Sequence, residues 1–274
     1  MFASFFHSRF SQRSTSQLIR RSLILITIFF TSSFSPSHAS DKPILRAVST
    51  DEAFPYSFRK NQEMDGMVFE VAKTLADRIG YQLKVEVLPW TRALLTARDQ
   101  PSTLIFSVVK TPSREPHYYW IGPVATSEVW LFKLASRSDI TVQNVEDLKK
   151  YIVGDIASDA TLPLFEKLGI KVDTAPSKKS NCLKLKMGRV DLIPFDPDGI
   201  EDFLSACDIP ASNIEKTIYF PRDTALYMAI GKKTPPELIK QLNAGFAQMV
   251  SDKTLSKIVA KWKSKVTKQS PVIR

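Results

Sequence analysis

Apolar and polar positions along this chain follow two periods in alternation. Ile44–Ser49 (ILRAVS) is an apolar run of strand length. Val68, Val71, Ala72, Leu75, Ala76 and Ile79 then recur at 3.6-residue spacing, with Asp65-Gly66 as the turn before them and Gly80 as the stop. The stretch 82–88 (QLKVEVL) alternates as a strand, Pro89-Trp90 opens a short helix over 91–98, and Thr103–Val109 is a third apolar run. Strand and helix alternating through short connections predict a parallel sheet with right-handed crossovers.

The pattern restarts after a strand-like run at 128–135. It predicts a helix at 145–150, a strand at 151–156, a helix at 158–168 capped by Ser158-Asp159, and a strand at 170–174. A helix at 178–187, a strand at 191–195, a helix at 200–207 and strands at 214–220 and 224–230 follow. Two helices, 235–250 and 255–265, close the chain, the first opened by Pro235-Pro236 and carrying Leu238, Leu242, Phe246 and Met249 on one face. These are two α/β units. The runs 128–135 and 224–230 would connect them, and the helical C-terminus would return to the first. Two lobes around a cleft form a hinge-closing architecture.

The first 39 residues stand outside this pattern. Arg9, Arg13, Arg20 and Arg21 form a basic region, 22–30 (SLILITIFF) is an apolar core too short to span a bilayer, and Ser37-His38-Ala39 is a small-x-small cleavage site. This predicts a secretory signal peptide over 1–39 and a soluble, periplasmic mature chain. The formal charge of +10 falls to +6 when those four arginines leave. The remaining basic pairs, Lys178-Lys179 among them, lie near helix ends and turns, which reads as solvated surface rather than a nucleic-acid groove. Cys182 and Cys207 both lie in the exported part, where a pair predicts one disulfide; two buried free thiols are the alternative. Neither has His or acidic neighbours at metal-ligand spacing, and no cofactor motif is present.

The stretch 107–123 (SVVKTPSREPHYYWIGP) carries the most chemistry. A strand ending in a polar turn delivers side chains to the sheet edge where α/β ligands bind. Arg114 in that turn offers a planar fork of donors suited to a carboxylate. Tyr118, Tyr119 and Trp120 read as core and hinge packing.

Five pieces in order resemble the periplasmic solute-binding proteins of family 3, the amino-acid-binding type with the type II periplasmic fold. They are VSTDEAFPYSF followed by DGMVFEVAKTLADRIG; LPWTRALL; TPSRE…YYWIGP, similar to T-x-x-R…F-S-x-P; MGRVDLIPFD, similar to a G-R-x-D strand followed by a ligand-binding acid; and the terminal helices ending near Lys261-Trp262. The resemblance runs over about 44–262. It implies an α/β, two-lobed fold with two hinge strands, lobe 1 comprising 40–131 and 225–274 and lobe 2 comprising 132–224. Arg114 falls on the arginine that holds the ligand carboxylate, and Asp196 on the acid that takes its ammonium. Ser107 and Thr111 fall where small hydroxyls assist the carboxylate. Asp51 and Phe54 lie on the first turn, as a side-chain contact and an aromatic platform. Ser158, Asp159 and Thr161 open a helix whose N-terminal amides suit an anion. Trp90 and Arg92 belong to a Pro-Trp-x-Arg variant; Trp90 is either a cleft platform or a core residue, and Arg92 pairs either with a ligand acid or with a surface carboxylate. Val109 departs from the family, which often places a hydroxyl there, and this argues against an ordinary amino acid. Asp191 reads as structural.

The implied function is capture of a small polar carboxylate-bearing solute, by a monomer, for delivery to the membrane permease of an ABC transporter. The alternatives are a sensor docking on a membrane receptor, and a dehydratase using Asp51 or Glu52 as a cleft acid. His117 is the only histidine beyond residue 39, and no G-x-S-x-G, H-E-x-x-H or phosphate loop occurs.

Overall fold

The computed structural model describes residues 42–269. The expected signal peptide lies outside the described residues. No helix among the described residues is long and apolar enough to cross a membrane.

The first lobe is built on a five-stranded sheet of order β5-β1-β6-β13-β7. Here β1 is Ile44–Ser49, β5 Gln82–Val87, β6 Thr103–Val109, β7 Tyr118–Thr126 and β13 Ala225–Gly231. Strand β1 pairs parallel with β5 and β6, as the alternating pattern predicts. Strand β13 returns antiparallel between β6 and β7, so the sheet is mixed. Strand β6 is a continuous apolar run because both its faces are covered. Leu104 and Phe106 face a core shared with helix α1 (Met67–Arg78), and Ile105 and Val108 face helix α2 (Trp90–Asp99). Edge strand β5 alternates exposed with half-buried positions. The C-terminal helices α6 (Pro236–Ser251) and α7 (Thr254–Gln269) pack on the same lobe through Leu242, Met249 and Trp262. The Trp262 indole N–H donates to Glu70 at 2.8 Å.

Two features differ from the sequence expectation. Residues 118–126 form β7, although Gly122-Pro123 reads as the end of the aromatic run. The strand survives because it lies at the sheet edge and its pairing with β13 is irregular here, between Leu226 opposite Ala125 and Met228 opposite Ile121. Tyr118 is buried, with its hydroxyl donating to Leu94 O at 2.7 Å, whereas Tyr119 is exposed. A three-stranded meander follows β1, from β2 (Glu52–Ala53) through β3 (Ser57–Lys60) to β4 (Glu63–Asp65). Its strands are too short for periodicity to reveal.

The second lobe holds the parallel pair β9 (Ile152–Ile156) and β10 (Lys171–Ala175), and a sheet of order β11-β8-β12. These last strands are Ile193–Phe195, Trp130–Leu134 and Ile214–Tyr219. A bridge from Val153 to Leu192 joins the two sheets. Helices α3 (Leu162–Lys167), α4 (Lys178–Lys186) and α5 (Ile200–Ser205) cover them. Cys182 and Cys207 form the expected disulfide, with Cα atoms 6.1 Å apart across a separation of 25 residues. A loop of that length restricts the unfolded chain by about 3 kcal/mol. Asp191 is structural: it accepts from Ile152 N at 2.8 Å and pairs with Arg137 at 3.0 Å. The chain crosses between lobes where Ser127 N donates to Thr224 O at 2.7 Å, in the connections flanking β8 and β13 rather than along the strands themselves.

Candidate functional site

Between the lobes lies a cavity of about 130 Å³. It opens at the C-terminal ends of β1 and β6, where an open α/β sheet presents its ligands. Three backbone devices aim side chains into it.

The first is a bulge in β6. Pairing with β13 skips one residue between Ile105 and Val108, and Ser107 takes φ 59°. A non-glycine residue in this left-handed region is uncommon and clusters at functional sites. The bulge shifts the inside–outside phase, so Val108 packs under α2 and Val109 joins the opposite core. Ser107 is freed toward the cavity, and its Oγ is buried without a hydrogen-bond partner. The second device is the turn after β6. Arg114 N and Glu115 N both donate to Thr111 O, at 3.0 and 2.9 Å, folding the turn back so that the Arg114 guanidinium enters the cavity. There Nη1 donates to Val109 O at 2.9 Å and Nη2 crosses to Ser158 O of the second lobe at 2.6 Å. Its Cζ lies 5.7 Å from the Trp90 ring centroid. Burial lowers the pKa of this group.

The third device is the N-terminus of α1. Gly66 stands at its N-cap with φ 128°, and a Cβ there would lie 2.4 Å from Tyr56 O. That carbonyl accepts from Val68 N at 2.9 Å, which fixes Tyr56 against the helix. The Tyr56 hydroxyl lies 2.6 Å from Asp196 Oδ2 and 2.9 Å from Thr126 O. Burial, and secondarily the Asp196 charge, push its pKa well up. Asp196 follows β11; its Oδ1 accepts from Asp198 N at 2.9 Å. Burial raises its pKa, partly offset by the hydrogen bond from Tyr56. Each carboxylate oxygen keeps a lone pair for a further donor.

Thr161, at the head of α3, organises a carboxylate pair. Its hydroxyl contacts both Asp155 Oδ2 and Asp159 Oδ1, and its N–H donates to Asp159 Oδ1 at 3.1 Å. One hydroxyl hydrogen serves one carboxylate. Burial and the neighbouring Asp159 charge push the Asp155 pKa well above the ordinary range. In its protonated form Asp155 would donate to Thr161, leaving the Thr161 hydroxyl hydrogen for Asp159.

Of the residues singled out in the sequence, the structure brings Phe54, Trp90, Ser107, Arg114, Asp159, Thr161 and Asp196 to this cavity. Four lie elsewhere. Asp51 lines an adjoining recess, where its Oδ2 meets Arg59 Nε at 2.9 Å, because β3 folds back across it. Arg92 is exposed and lines neither space, being turned away from Trp90 by two positions on α2. Thr111 faces an outer crevice, its hydroxyl 3.1 Å from Ser113 Oγ. Ser158, at φ 66°, sits on the same crevice; its hydroxyl accepts from Thr91 at 3.0 Å and its carbonyl takes Arg114. The helix after it begins at Leu162, not at 158, and Thr161 N is already bonded to Asp159.

Sequence reasoning missed Tyr56, Asp155, Lys178, Asn181 and Arg222, all of which line the cavity. Lys178 is half-buried, not part of a solvated pair. The Ser177–Ser180 capping box starts α4 there, and Lys178 N donates across the cleft to Glu52 at 2.9 Å. Its ammonium sits 4.7 Å from the Phe195 ring, and burial lowers its pKa. The capping box was the one available signal; it placed Lys178 on a first helical turn but not inside a cleft.

Over residues 45–265 the chain matches the bacterial extracellular solute-binding proteins, family 3, and it belongs to that family. It is 23% identical over 238 residues to the arginine-binding extracellular protein ArtP of Bacillus subtilis (strain 168), covering 84% of this chain and 90% of that one. It is 23% identical over 217 residues to the L-cystine-binding protein TcyA of the same organism, covering 78% of each. An ancestral arginine-binding protein bound to glutamine superposes with a TM-score of 0.71 at 19% identity, over 81% of this chain and 98% of that one. The two-lobed type II periplasmic fold is thus the fold of this chain.

Proposed function

We propose that this chain is a periplasmic binding protein that captures a small carboxylate-bearing polar solute, an amino acid or related compound, and delivers it to an ABC-type permease. It acts as a monomer. Lobe 1 comprises the mature chain to 131 and from 225; lobe 2 comprises 132–224. The observation that carries this reading is Arg114, whose buried guanidinium enters the interlobe cavity and bonds the second lobe. Arg114 takes the solute carboxylate in a charge-assisted contact, strengthened as closure excludes water. Asp196, from the other lobe, takes its ammonium. Trp90 and Phe54 cover the apolar body of the solute.

The experiment is a thermal-shift and calorimetric screen of amino acids, small peptides and organic acids. A ligand at about 100 times its Kd adds roughly 2.7 kcal/mol, which for a chain of this size raises the melting temperature by about 5–10 °C. Arg114→Ala removes one side of a buried charge contact and should weaken that ligand by about 2–5 kcal/mol, with the ligand-free melting temperature little changed. Surviving affinity would reject the carboxylate role. A neighbouring histidine-kinase gene in place of permease genes would overturn transport in favour of sensing. Turnover of prephenate-like compounds would overturn binding in favour of catalysis.

A further inference from the structure

The cavity wall carries three cations and three carboxyl groups, and their hydrogen bonding is unequal. Every carboxyl group is met twice. Asp155 contacts Ile156 N and the Thr161 hydroxyl, Asp159 the Thr161 amide and hydroxyl, and Asp196 the Tyr56 hydroxyl and Asp198 N. The cations are not met in this way. Among the described residues, none of Arg114, Lys178 and Arg222 forms an ion pair. Arg114 bonds only neutral carbonyls. The Lys178 ammonium lies over the face of Phe195 at 4.7 Å, and the charges of Asp159, Glu52, Asp196 and Asp202 act on it from beyond ion-pair distance. Arg222 gives Nη1 to Asp223 O at 2.9 Å, and its Nε is buried with no partner.

The two ends of the cavity are distinct. Arg222 acts on the Arg114 end, where its charge disfavours that of Arg114. Lys178 stands apart on α4 and also lines the adjoining recess beside Trp90. Half-buried cations out of contact with a carboxylate are costly; the charge of Asp159 acts on both Arg114 and Lys178 but neither reaches ion-pair distance of it. Ser107 leaves its Oγ buried and unpartnered in the same wall, an uncharged polar contact for the solute.

We propose that the cavity selects a solute with two anionic groups, one held by Arg114 and Arg222 and the second by Lys178. A dicarboxylate or an acidic amino acid has this chemistry. The inference rests on the cleft-binding reading above and narrows it: the side chain of the solute is acidic, unlike that of arginine. A cationic side chain would add a fourth positive charge to the wall, and a neutral amide would leave the Lys178 ammonium without an anion in contact.

Isothermal titration of the exported chain tests it, with succinate, glutarate, L-aspartate and L-glutamate against L-glutamine and L-arginine. The expected result is that the best diacid binds at least tenfold tighter than glutamine or arginine. Lys178→Met should reduce the preference for glutamate over glutamine to threefold or less, and Lys178→Arg should retain it. Retention of the preference in Lys178→Met, where Lys178→Arg is folded and active, overturns the role of Lys178. Tighter binding of arginine or glutamine than of any diacid overturns this inference and leaves the cleft-binding reading intact. Binding of none of the six overturns both.

Discussion

Asp155 is a carboxyl group out of ion-pair reach of any cation, held between Ile156 N, Thr161 and the charge of Asp159, with the charge of Arg222 only partly offsetting its burial. Its folded-state pKa is raised, so the native state keeps a proton that the unfolded chain releases above about pH 3.9. The stability contributed by that proton is complete below that pH and declines as pH rises through the folded-state value. Asp155→Asn reproduces the protonated group, with Oδ1 accepting from Ile156 and the amide donating to Thr161. The variant should be more stable than the parent at pH 7, and the difference should shrink as pH falls toward 4. Urea denaturation at several pH values checks this; parallel stability profiles for the two proteins would show that Asp155 is ionised in the fold. The residue types at Arg114 and Asp196 were legible from sequence because each stands at a strand end in a motif of fixed spacing. Asp155 was not, since a single acid inside a strand reads as a surface position until a neighbouring helix covers it.

At the scale of elements, the hinge-side wall of the cavity depends on one helix start. Val68 N and the close approach of Gly66 hold the Tyr56 carbonyl, and the Tyr56 hydroxyl reaches Asp196. Gly66→Ala places a Cβ against that carbonyl and demands a positive φ from alanine, which should cost about 1–3 kcal/mol. Equilibrium denaturation measures it; a loss within about 0.5 kcal/mol, the range of an ordinary surface change, would mean that the turn relaxes freely. Long periodic elements such as α1, α2 and α6 were legible because their buried faces repeat over several turns. The meander β2–β4 was hidden by its short strands, and β7 by Gly122-Pro123, which an edge position and a break in the pairing accommodate. The bulge at Ser107 showed in the sequence only as one serine inside an otherwise apolar run.

At the scale of the molecule, the lobes meet through a few specific contacts. Arg114 reaches Ser158 O, Lys178 N reaches Glu52, and Gly199 lies against Phe54, where a Cβ would stand 2.3 Å from the Phe54 carbonyl. Gly199 itself has φ −111°, so its own backbone tolerates a side chain; an added Cβ meets the Phe54 carbonyl of the opposite lobe and, at 3.1 Å, the ring edge of Phe195 in its own lobe, which can give by a few tenths of an ångström. Gly199→Ala should therefore lower ligand affinity at least tenfold while the ligand-free melting temperature stays close to the parent value. Calorimetric titration alongside thermal melting separates the two effects; unchanged affinity would show that the lobes close without this contact.

The hydrophobic periods and the punctuating Gly and Pro residues determined two α/β units and the order of their elements, while Arg114 and Asp196 stood out through the resemblance of their two segments to family 3. These are local properties, written in neighbouring residues, and burial follows from them. Which side chains share one cavity was decided only by the tertiary structure. Lys178, Asn181 and Arg222 come from a helix start, the next turn of that helix and a connecting loop, each unremarkable in its own segment. Arg92 and Thr111, beside true cavity residues in sequence, point elsewhere because a helix turns 100° per residue and a turn reverses the chain. A cleft between two lobes is made of contacts far apart in sequence, and no local pattern encodes them.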